Sequence, residues 1–353
     1  MLTSPRGARK IIRRPPLLLS YGKKGSFSLE CSGMRAATAW DIVGIGLNAM
    51  DVIIEVPHYP AFSSKIEFER AEVFPGGQVA TALVACQRWG LRTRYVGRIG
   101  DDKLGRLQRA SLLEAGVEIS ELRVVPGCPS QSAYIVVDGR SGERTILWRR
   151  DPRLEIPPDE LSREVICSGR LVHVDGHDTE AAARAAGWAR EQGIPVTADV
   201  DNLYPKVEAL LERVDYLVSS SSFPSRLTGI ADPLGALRKI QETYEQRFTA
   251  CTLGADGAVG YDGRRFWYCP AFEVECADTT GAGDVFHGGF AYALVQGWSA
   301  ERAVEFASAA AALNCTARGA RGGIASKEAV EELMRAGRWR GVKWPDWLLR
   351  QRG

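Results

Sequence analysis

From residue 40 onward, short apolar runs alternate with segments in which apolar residues recur at helical spacing. "WDIVGIG", "LVHVDG" and "IPVTADV" are typical of buried strands, whereas "GGQVATALVACQRWG" has the spacing of a helix and ends at Gly90. Strands that alternate with helices pair mostly in parallel, because each helix returns the chain across the sheet. The sequence therefore predicts an α/β domain over residues 40–330, with a mostly parallel central sheet covered on both faces.

Two stretches interrupt this alternation with strand patterns that have no helix between them. They lie near residues 51–74 and 132–150, and the second contains the turn signals Asp138-Gly139 and Ser141-Gly142. Alternating runs around such turns are typical of a hairpin. Antiparallel strands added to a parallel core indicate a small β-sheet lid over the carboxyl edge of the main sheet, where such folds bind ligands.

The two ends of the chain differ from the body in composition. Residues 1–33 contain seven Lys or Arg and one acid, so their net charge is +6. Because the whole chain has a net charge of +2, the remaining residues have a net charge of −4. We predict a basic, disordered extension over residues 1–39, with a transit peptide as the alternative, and a packed tail over residues 331–353. The acidic body and the short apolar runs favour neither a nucleic acid nor a membrane as partner.

Eight cysteines are scattered along the chain without any C-x-x-C pair. Several lie inside apolar runs, such as Cys251 in "FTACTLG" and Cys315 in "AALNCTA". This distribution is typical of reduced, small core residues in a cytoplasmic protein. His173 and His177 in "HVDGHD" have metal-like spacing, but no third ligand is evident, so we predict no metal site built from side chains.

Two glycine-rich stretches lie near the predicted lid. "GIGLNAM" matches G-x-G-x-x-A, but it runs into the strand pattern "MDVIIEV" instead of a helix, which weakens a dinucleotide fingerprint. Asp51 ends this turn on the side of the lid. In "PGGQVATAL", Gly76 and Gly77 directly precede a helix that carries Gln78 and Thr81 one turn apart. A simple helix cap and a close backbone approach to a small polar ligand are both open there.

A third stretch, "CADTTGAGDVFHGGF", combines free backbone amides with an acid at a helix start. Gly281, Ala282 and Gly283 would present N–H groups and the positive end of the helix dipole to an anion. The Asp284 that follows could simply be a helix cap. Amides that stabilise a phosphoryl group beside a carboxylate that accepts a proton are also what phosphoryl transfer to an alcohol requires. We therefore predict Asp284 as general base and Gly281–Gly283 as anion hole.

Four segments together resemble the ribokinase-like (PfkB) carbohydrate kinases over roughly residues 40–325. "DTTGAGDVFHGGFAYAL" is similar to the carboxyl-terminal signature of that family, and "GGQVATALVACQRWGLRTRYVGRIGDDKLG" to its amino-terminal signature. "CTLGADGAVG" and "ASAAAALNCTARGA" fall where its nucleotide-binding segments lie. The resemblance implies an α/β/α sandwich with a small β-sheet lid, and transfer of the γ-phosphoryl group of ATP to a hydroxymethyl group. It also implies Mg²⁺ and admits K⁺ as cofactors.

The resemblance assigns roles to individual residues. Those that would hold the sugar are Asp51, Gly76, Gly77, Gln78 and Thr81. Those that would lie along the nucleotide are Ser220, Thr252, Gly254, Gly257 and Asn314. A homodimer that pairs lid strands between subunits is a further expectation from the family.

The chain departs from the family pattern at three positions. Ser220 and Phe223 stand where many members have Asn-x-x-Glu, so the usual support for magnesium and phosphate is missing. Members resembling ketohexokinase also lack that motif, and the chain is more similar to them than to ribokinase. Thr81 replaces an Asn near the sugar, which argues against ribose as substrate.

Three arginines in "LWRRDPRL" lie at the end of the predicted lid. Arg149, Arg150 and Arg153 would meet an anionic group on the substrate, and we predict Arg149 as a substrate contact. The alternative is a solvated basic edge strand without a role in binding.

The leading interpretation is an ATP-dependent kinase of a ketose, a related polyol or a sugar acid. The missing Asn-x-x-Glu raises the alternative of a catalytically weak relative that binds sugar or nucleotide. A nicotinamide-dependent oxidoreductase is the second alternative, and it rests on "GIGLNAM" alone.

Overall fold

The structure of the protein is a computed structural model that describes residues 18–19, 39–140 and 143–340. Our predictions for the extension before residue 39 and for the tail beyond residue 340 therefore lie largely outside the described residues. Within the extension, Leu18–Leu19 forms a short strand, which the prediction of disorder did not include. Each helix in the described part of the chain is too short or too polar to cross a lipid bilayer.

The described residues form fourteen strands and ten α-helices in an order that largely alternates. The strands are β1 (Leu18–Leu19), β2 (Trp40–Ile45), β3 (Ala49–Val56), β4 (Arg70–Gly76), β5 (Thr93–Gly100), β6 (Glu118–Val125), β7 (Ser132–Asp138), β8 (Arg144–Arg149), β9 (Gly169–Asp175), β10 (Val196–Val200), β11 (Tyr216–Ser220), β12 (Phe248–Thr252), β13 (Ala258–Tyr261) and β14 (Phe266–Cys269). The helices are α1 (Gln78–Arg88), α2 (Lys103–Glu114), α3 (Arg163–Ile166), α4 (Thr179–Glu191), α5 (Val207–Leu211), α6 (Phe223–Thr228), α7 (Pro233–Tyr244), α8 (Ala282–Val295), α9 (Ala300–Asn314) and α10 (Lys327–Ala336).

The large sheet contains ten strands in the order β1-β14-β13-β12-β11-β10-β9-β2-β5-β6. The seven strands from β12 to β6 are paired in parallel. The pairs β12–β13, β13–β14 and β14–β1 are antiparallel and lie at one edge. The prediction of a mostly parallel central sheet is confirmed.

Helices cover both faces of this sheet. Since successive residues of a strand point to opposite sides, neighbouring residues of one strand pack against different helices. Ile42 and Leu171 pack in a core with α1, α2, α8, α9 and α10. Their neighbours Val43 and Val172 pack in a second core with α3 to α7. The arrangement is therefore the predicted α/β/α sandwich.

The approach of α1 to the sheet depends on a glycine in β2. A Cβ atom on Gly44 would lie 2.7 Å from both Leu83 Cδ1 and Val79 Cγ1, two side chains of α1. Packing at this distance keeps the start of α1 close to the carboxyl end of β2. The amino-terminal end of α1 therefore lies at the sheet edge where ligands bind in such folds.

A second sheet of four strands has the order β4-β3-β7-β8. The pairs β3–β4 and β7–β8 are antiparallel, whereas β3 and β7 are parallel. These strands agree with the stretches predicted near residues 51–74 and 132–150. The turn signal Asp138-Gly139 lies where β7 ends, whereas Ser141-Gly142 lies outside the described residues. On its inner face, Ile53, Ala133 and Ile135 form a small apolar core.

Candidate active site

The predicted anion hole lies at the start of α8. Gly281 directly precedes the helix with φ +73°, and a Cβ atom there would lie 2.4 Å from the carbonyl oxygen of Ala320. Glycine is therefore required both by the left-handed backbone and by the space. The carboxylate of Asp278 accepts hydrogen bonds from the amides of Thr280 at 2.8 Å and Gly319 at 2.9 Å. These bonds hold the turn that presents the amides of the first residues of α8.

Asp284 lies in the first turn of α8 and keeps part of its surface accessible. Its partial burial raises its pKa well above the usual carboxyl range, and the nearby carboxylates of Asp199 and Asp51 add to this shift. The positive charge of Arg321 opposes it. Asp284 is thus a carboxyl group that sits among other acids and has one close cationic neighbour.

Arg321 is a site residue that the sequence analysis missed. Its guanidinium donates hydrogen bonds to Thr81 Oγ1 at 3.1 Å, to Ser111 Oγ at 3.1 Å and to the carbonyl oxygen of Gly76 at 2.6 Å. Its burial lowers its own pKa to about 10, while the charges of Asp284 and Asp51 raise it. The only signal in the sequence was an arginine between glycines in "GARGG".

The residues predicted near the lid to hold the sugar lie close together. Asp51 is on the inner face of the small sheet, and burial raises its pKa to about 6. A Cβ atom on Gly76 would lie 2.2 Å from Asp51 Oδ2, so the glycine leaves room for that carboxylate. The side chain of Gln78 lies near that of Asp199 and opposes the effect of burial, which raises the pKa of Asp199. The structure therefore brings Asp51, Gly76 and Gln78 into one cleft with Asp284.

Thr81 needs a correction. Its side chain is completely buried and accepts the hydrogen bond from Arg321. It supports the floor of the cleft through Arg321 and does not present its hydroxyl to a sugar. The sequence could not show this, because Arg321 is 240 positions further along the chain.

Two further polar residues of the cleft were not predicted. The carboxylate of Asp199 lies beside His287 of α8, with 3.1 Å between Asp199 Oδ1 and His287 Nε2. Burial lowers the pKa of His287 to about 3. Asn48 is 2% exposed, and neither amide atom has a hydrogen-bond partner among the described residues. It lies against Gly77, where an added Cβ atom would be 2.6 Å from the Cα atom of Asn48.

A cavity of about 670 Å³ adjoins the anion hole on the side of β12 and α9. The predicted nucleotide residues Thr252, Gly254 and Gly257 line it, together with Ala282 and Gly283 of the anion hole. Ala311, Ala312 and Ser308 of α9 form much of the opposite wall. The walls therefore consist largely of small side chains and backbone.

Two of the predicted nucleotide contacts are corrected by the structure. Asn314 is fully buried, and its Nδ2 donates to the carbonyl oxygens of Thr280 at 3.2 Å and Ala320 at 3.1 Å. It therefore ties the anion-hole turn to the loop after α9 and does not reach the cavity. Ser220 donates from its hydroxyl to the carbonyl oxygen of Asp201 at 3.0 Å and lies outside the cavity wall.

The prediction for Arg149 is wrong. Trp148 is the residue of β8 in register with Ala133 and Asp51, so Arg149 lies on the outer face of the small sheet. Arg150 donates instead to both carboxylate oxygens of the buried Asp178, at 2.7 Å and 2.8 Å. That ion pair joins the end of the lid to the body of the domain.

Arg144, near the other end of β8, reaches the site in its place. It lies on the inner face of the small sheet, in register with Val137 and Glu55. Its guanidinium donates to the hydroxyl of Thr279, and its side chain lines the cavity beside the anion hole. A lid arginine therefore reaches the nucleotide side, whereas the sequence pattern had pointed to the substrate side.

The fold and this site define a ribokinase-like carbohydrate kinase, and comparison with known proteins agrees. Residues 40–327 match the sequence profile of the pfkB family of carbohydrate kinases. The 2-dehydro-3-deoxygluconokinase of Thermoproteus tenax is 31% identical, over 74% of this chain and 85% of that protein. The ATP-dependent ribose-1-phosphate kinase of Halopiger xanaduensis is 28% identical, over 77% of this chain and 90% of that protein. The chain belongs to the pfkB family of carbohydrate kinases.

Solved structures show the same fold. The ribokinase of Thermotoga maritima superposes with a TM-score of 0.73 at 25% identity, covering 84% of this chain and 99% of that one. Arabidopsis thaliana ribokinase, solved with ribose and ATP, superposes with a TM-score of 0.71 at 25% identity, covering 84% and 99%. The particular similarity to ketohexokinase stays a prediction.

The alternative of a nicotinamide-dependent oxidoreductase has no support in this fold. "GIGLNAM" connects β2 to β3 without a helix, so the helix N-terminus that a dinucleotide fingerprint needs does not follow it.

Proposed function

We propose that the protein transfers the γ-phosphoryl group of ATP to a hydroxymethyl group of a sugar or sugar derivative, with Asp284 as general base. The observation that carries the proposal is the position of Asp284 in the first turn of α8. Ala282 and Gly283, just before it, line the large cavity, while Asp284 itself is close to Asp51 and Arg321. The base thus stands between a space that fits a nucleotide and a cleft of polar groups that fits a sugar.

On the acceptor side, the carboxylate of Asp51 and the free amide of Asn48 would bind sugar hydroxyls. A hydroxymethyl group next to Asp284 would lose its proton to that carboxylate as its oxygen attacks phosphorus. A raised pKa brings the base nearer to working pH, and the positive charge of Arg321 favours the ionised form of Asp284. Arg321 is therefore a positioning residue in this proposal.

On the donor side, the cavity along Thr252, Gly254 and Gly257 would hold ATP with its γ-phosphoryl group at the amides of Gly281–Gly283. The amides and the positive end of the α8 dipole stabilise the negative charge that is redistributed during transfer. Arg144 adds a cationic group from the lid on the same side.

Mg²⁺ fits this site as an ion bound mainly by the nucleotide. In the described residues, no group of three or more His, Cys, Asp or Glu side chains is arranged to hold a metal ion. Mg²⁺ in kinases is often held by phosphates, waters and one or two carboxylates, so the ion would enter this site together with ATP. The bound ion neutralises phosphate charge. The K⁺ implied by the resemblance stays a prediction.

A homodimer through the lid is part of the proposal. Val73, Val52, Tyr134 and Leu147 form one row across the outer face of the small sheet, and three of them are half-exposed. An apolar row of this kind supports contact with a second lid. The cytoplasmic location expected from the cysteine pattern also stays a prediction.

The test is a panel of acceptors scored for release of ADP in the presence of Mg²⁺. The panel includes fructose, ribose, ribose 1-phosphate, 2-dehydro-3-deoxygluconate, other sugar acids and nucleosides. We expect release of ADP with at least one sugar or sugar acid, and loss of that activity when EDTA removes the metal. Tight binding of ATP without turnover on any acceptor would instead favour the catalytically weak relative.

A further inference from the structure

Two thiols lie next to each other at the wall of the nucleotide cavity. Cys276 is exposed and precedes the anion-hole turn, and Cys315 is half-buried and caps the C-terminus of α9. Their side chains are neighbours, and each thiol lies within the electrostatic reach of the other. The main chain joins the same two segments, because the amides of Ala277 and Asp278 donate to the carbonyl oxygen of Cys315 at 2.8 Å and 3.2 Å.

We propose that Cys276 and Cys315 form a redox modification site, at which a peroxide joins the two sulfurs in a disulfide and thereby weakens binding of ATP. The loss of affinity rests on the proposed use of this cavity for ATP. Formation of the disulfide does not depend on that use, since it follows from the contact between the two thiols.

The chemistry begins at Cys276, because its exposed sulfur is the one that a peroxide in solvent can reach. The thiolate attacks one peroxide oxygen, the O–O bond breaks, and a sulfenic acid and water result. The sulfur of Cys315 then attacks the sulfenic sulfur and forms the S–S bond. The hydroxyl group leaves as water with the proton of Cys315. Two thiols thus lose two electrons and two protons, and the peroxide is reduced to two waters.

The environment of the pair distinguishes the two thiols. Burial raises the pKa of Cys315 to about 12, and contact with Cys276 adds to that shift. Cys315 therefore stays mostly protonated and reacts with peroxide more slowly than an exposed thiol, which leaves Cys276 as the first to be oxidised. Arg144 and Asp278 are the charged groups close to it.

The position of the pair links oxidation to the nucleotide. Both cysteines line the same cavity as Ala282 and Gly283. A disulfide would tether residue 276 to the end of α9. Residue 276 lies two positions before Asp278, whose carboxylate holds the anion-hole turn. Shortening the thiol contact to a covalent bond draws these two walls together where the phosphates of ATP would lie.

The remaining cysteines of the described chain are less suited to this reaction. Those fully buried are Cys86, Cys128, Cys251 and Cys269. Cys167 is half-buried and caps the C-terminus of α3. Its thiol donates to the carbonyl oxygen of Trp188 at 3.6 Å. Cys167 therefore serves as a matched control that lies outside the cavity.

The experiment treats the reduced full chain with hydrogen peroxide, blocks remaining thiols with an alkylating agent and maps the peptides by mass spectrometry. We expect a disulfide-linked pair of peptides that contain residues 276 and 315, and its loss after dithiothreitol. In parallel, ATP titrations should show a Kd that rises about fivefold on oxidation, on the order of 1 kcal/mol, and returns on reduction.

Variants separate the pair from general oxidative damage. In Cys276→Ser and Cys315→Ser, the Kd for ATP before and after peroxide should be equal within each variant. Cys167→Ser should retain the basal activity and the full response of the parent chain. A linked pair that does not form, or a disulfide that leaves the Kd unchanged, overturns the proposal. If the reduced chain does not bind ATP at all, the proposed function fails, and the peptide map still decides whether the disulfide forms.

Discussion

The two halves of the proposed active site, one for the sugar acceptor and one for the ATP donor, are formed by different kinds of residue. The acceptor half, where we propose that the sugar binds, contains Asp51, Asp199, Asp284 and Arg321, four ionisable groups that lie close together. The donor half, where we propose that ATP binds, is a cavity of about 670 Å³ lined mostly by small residues, with larger side chains such as Phe272, Phe286 and Arg144 completing the walls. One half is a dense cluster of ionisable groups, and the other is a shaped space with mostly small side chains.

This difference separates two kinds of recognition. Buried polar groups are costly unless a partner satisfies them, so the acceptor half can reject compounds that lack hydroxyls in the right places. Backbone amides and small side chains accept a nucleotide by shape, and they depend little on the identity of any one side chain. We therefore expect substitutions in the acceptor half to alter the chemistry and the choice of sugar, and substitutions in the donor half to alter binding of ATP.

The largest effect is expected from Asp284→Asn. The amide cannot accept the proton of the attacking hydroxyl, so kcat should fall by about 10²–10⁴-fold. The Kd for ATP, measured by titration, should stay close to that of the parent chain. Such a result would show that Asp284 acts on the sugar hydroxyl and contributes little to binding of ATP.

A matched control is Asp159→Asn, which removes an exposed carboxylate away from the cleft. It should leave kcat unchanged. If Asp284→Asn kept more than about a tenth of the parent kcat, the assignment of the general base would be wrong.

An intermediate effect is expected from Ala312→Leu in the donor half. Ala312 lines the cavity from α9 and is 9% exposed, so a larger side chain would occupy space needed by the nucleotide. The KM for ATP should rise about tenfold or more, with a nearly unchanged KM for the sugar, in steady-state assays that vary each substrate.

Ala336→Leu, near the exposed end of α10, is the control for added bulk on a helix. It should leave both KM values unchanged. An equal rise of both KM values in Ala312→Leu would show that the two halves are not independent.

The smallest effect is expected in the pH dependence of Arg321→Gln. The positive charge of Arg321 lowers the pKa of Asp284, whereas Asp199, Asp51 and Asp201 raise it. Without the arginine, a larger fraction of Asp284 is protonated at a given pH. The acidic limb of kcat/KM should therefore move to higher pH.

Arg321→Lys keeps the positive charge and should return the acidic limb toward that of the parent chain. The Kd for ATP should change little in either variant. An acidic limb that stays in place in Arg321→Gln would mean that Arg321 supports the cleft only through its bonds to Thr81, Ser111 and Gly76.

Prediction from sequence succeeded where the signal is local. The turn "TTGAGD" placed Asp284 after three small residues at a helix start, and the start of α8 agrees with that reading. The hairpin signals near Asp138 also agreed with β7 and β8. In both cases, turn residues and periodicity act over a few neighbouring positions, so a single sequence contains the information.

Prediction failed where the role depends on the direction of a side chain or on a distant partner. Arg149 and Arg144 are on the same strand, and only the register with β7 shows which of them faces the site. Asn314 and Thr81 were expected at ligands, but each is turned inward toward a backbone or a guanidinium that local patterns do not reveal.

The sequence by itself determined the α/β/α class, the presence of a small second sheet and the helix start at which small residues precede Asp284, since helical and strand periodicity and glycine turns are local properties of the chain. The tertiary structure decided the composition of the acceptor half. Arg321 meets Thr81 across 240 positions and Gly76 across 245. Contacts over such separations depend on how the sheets and helices pack, and no spacing along the chain encodes them.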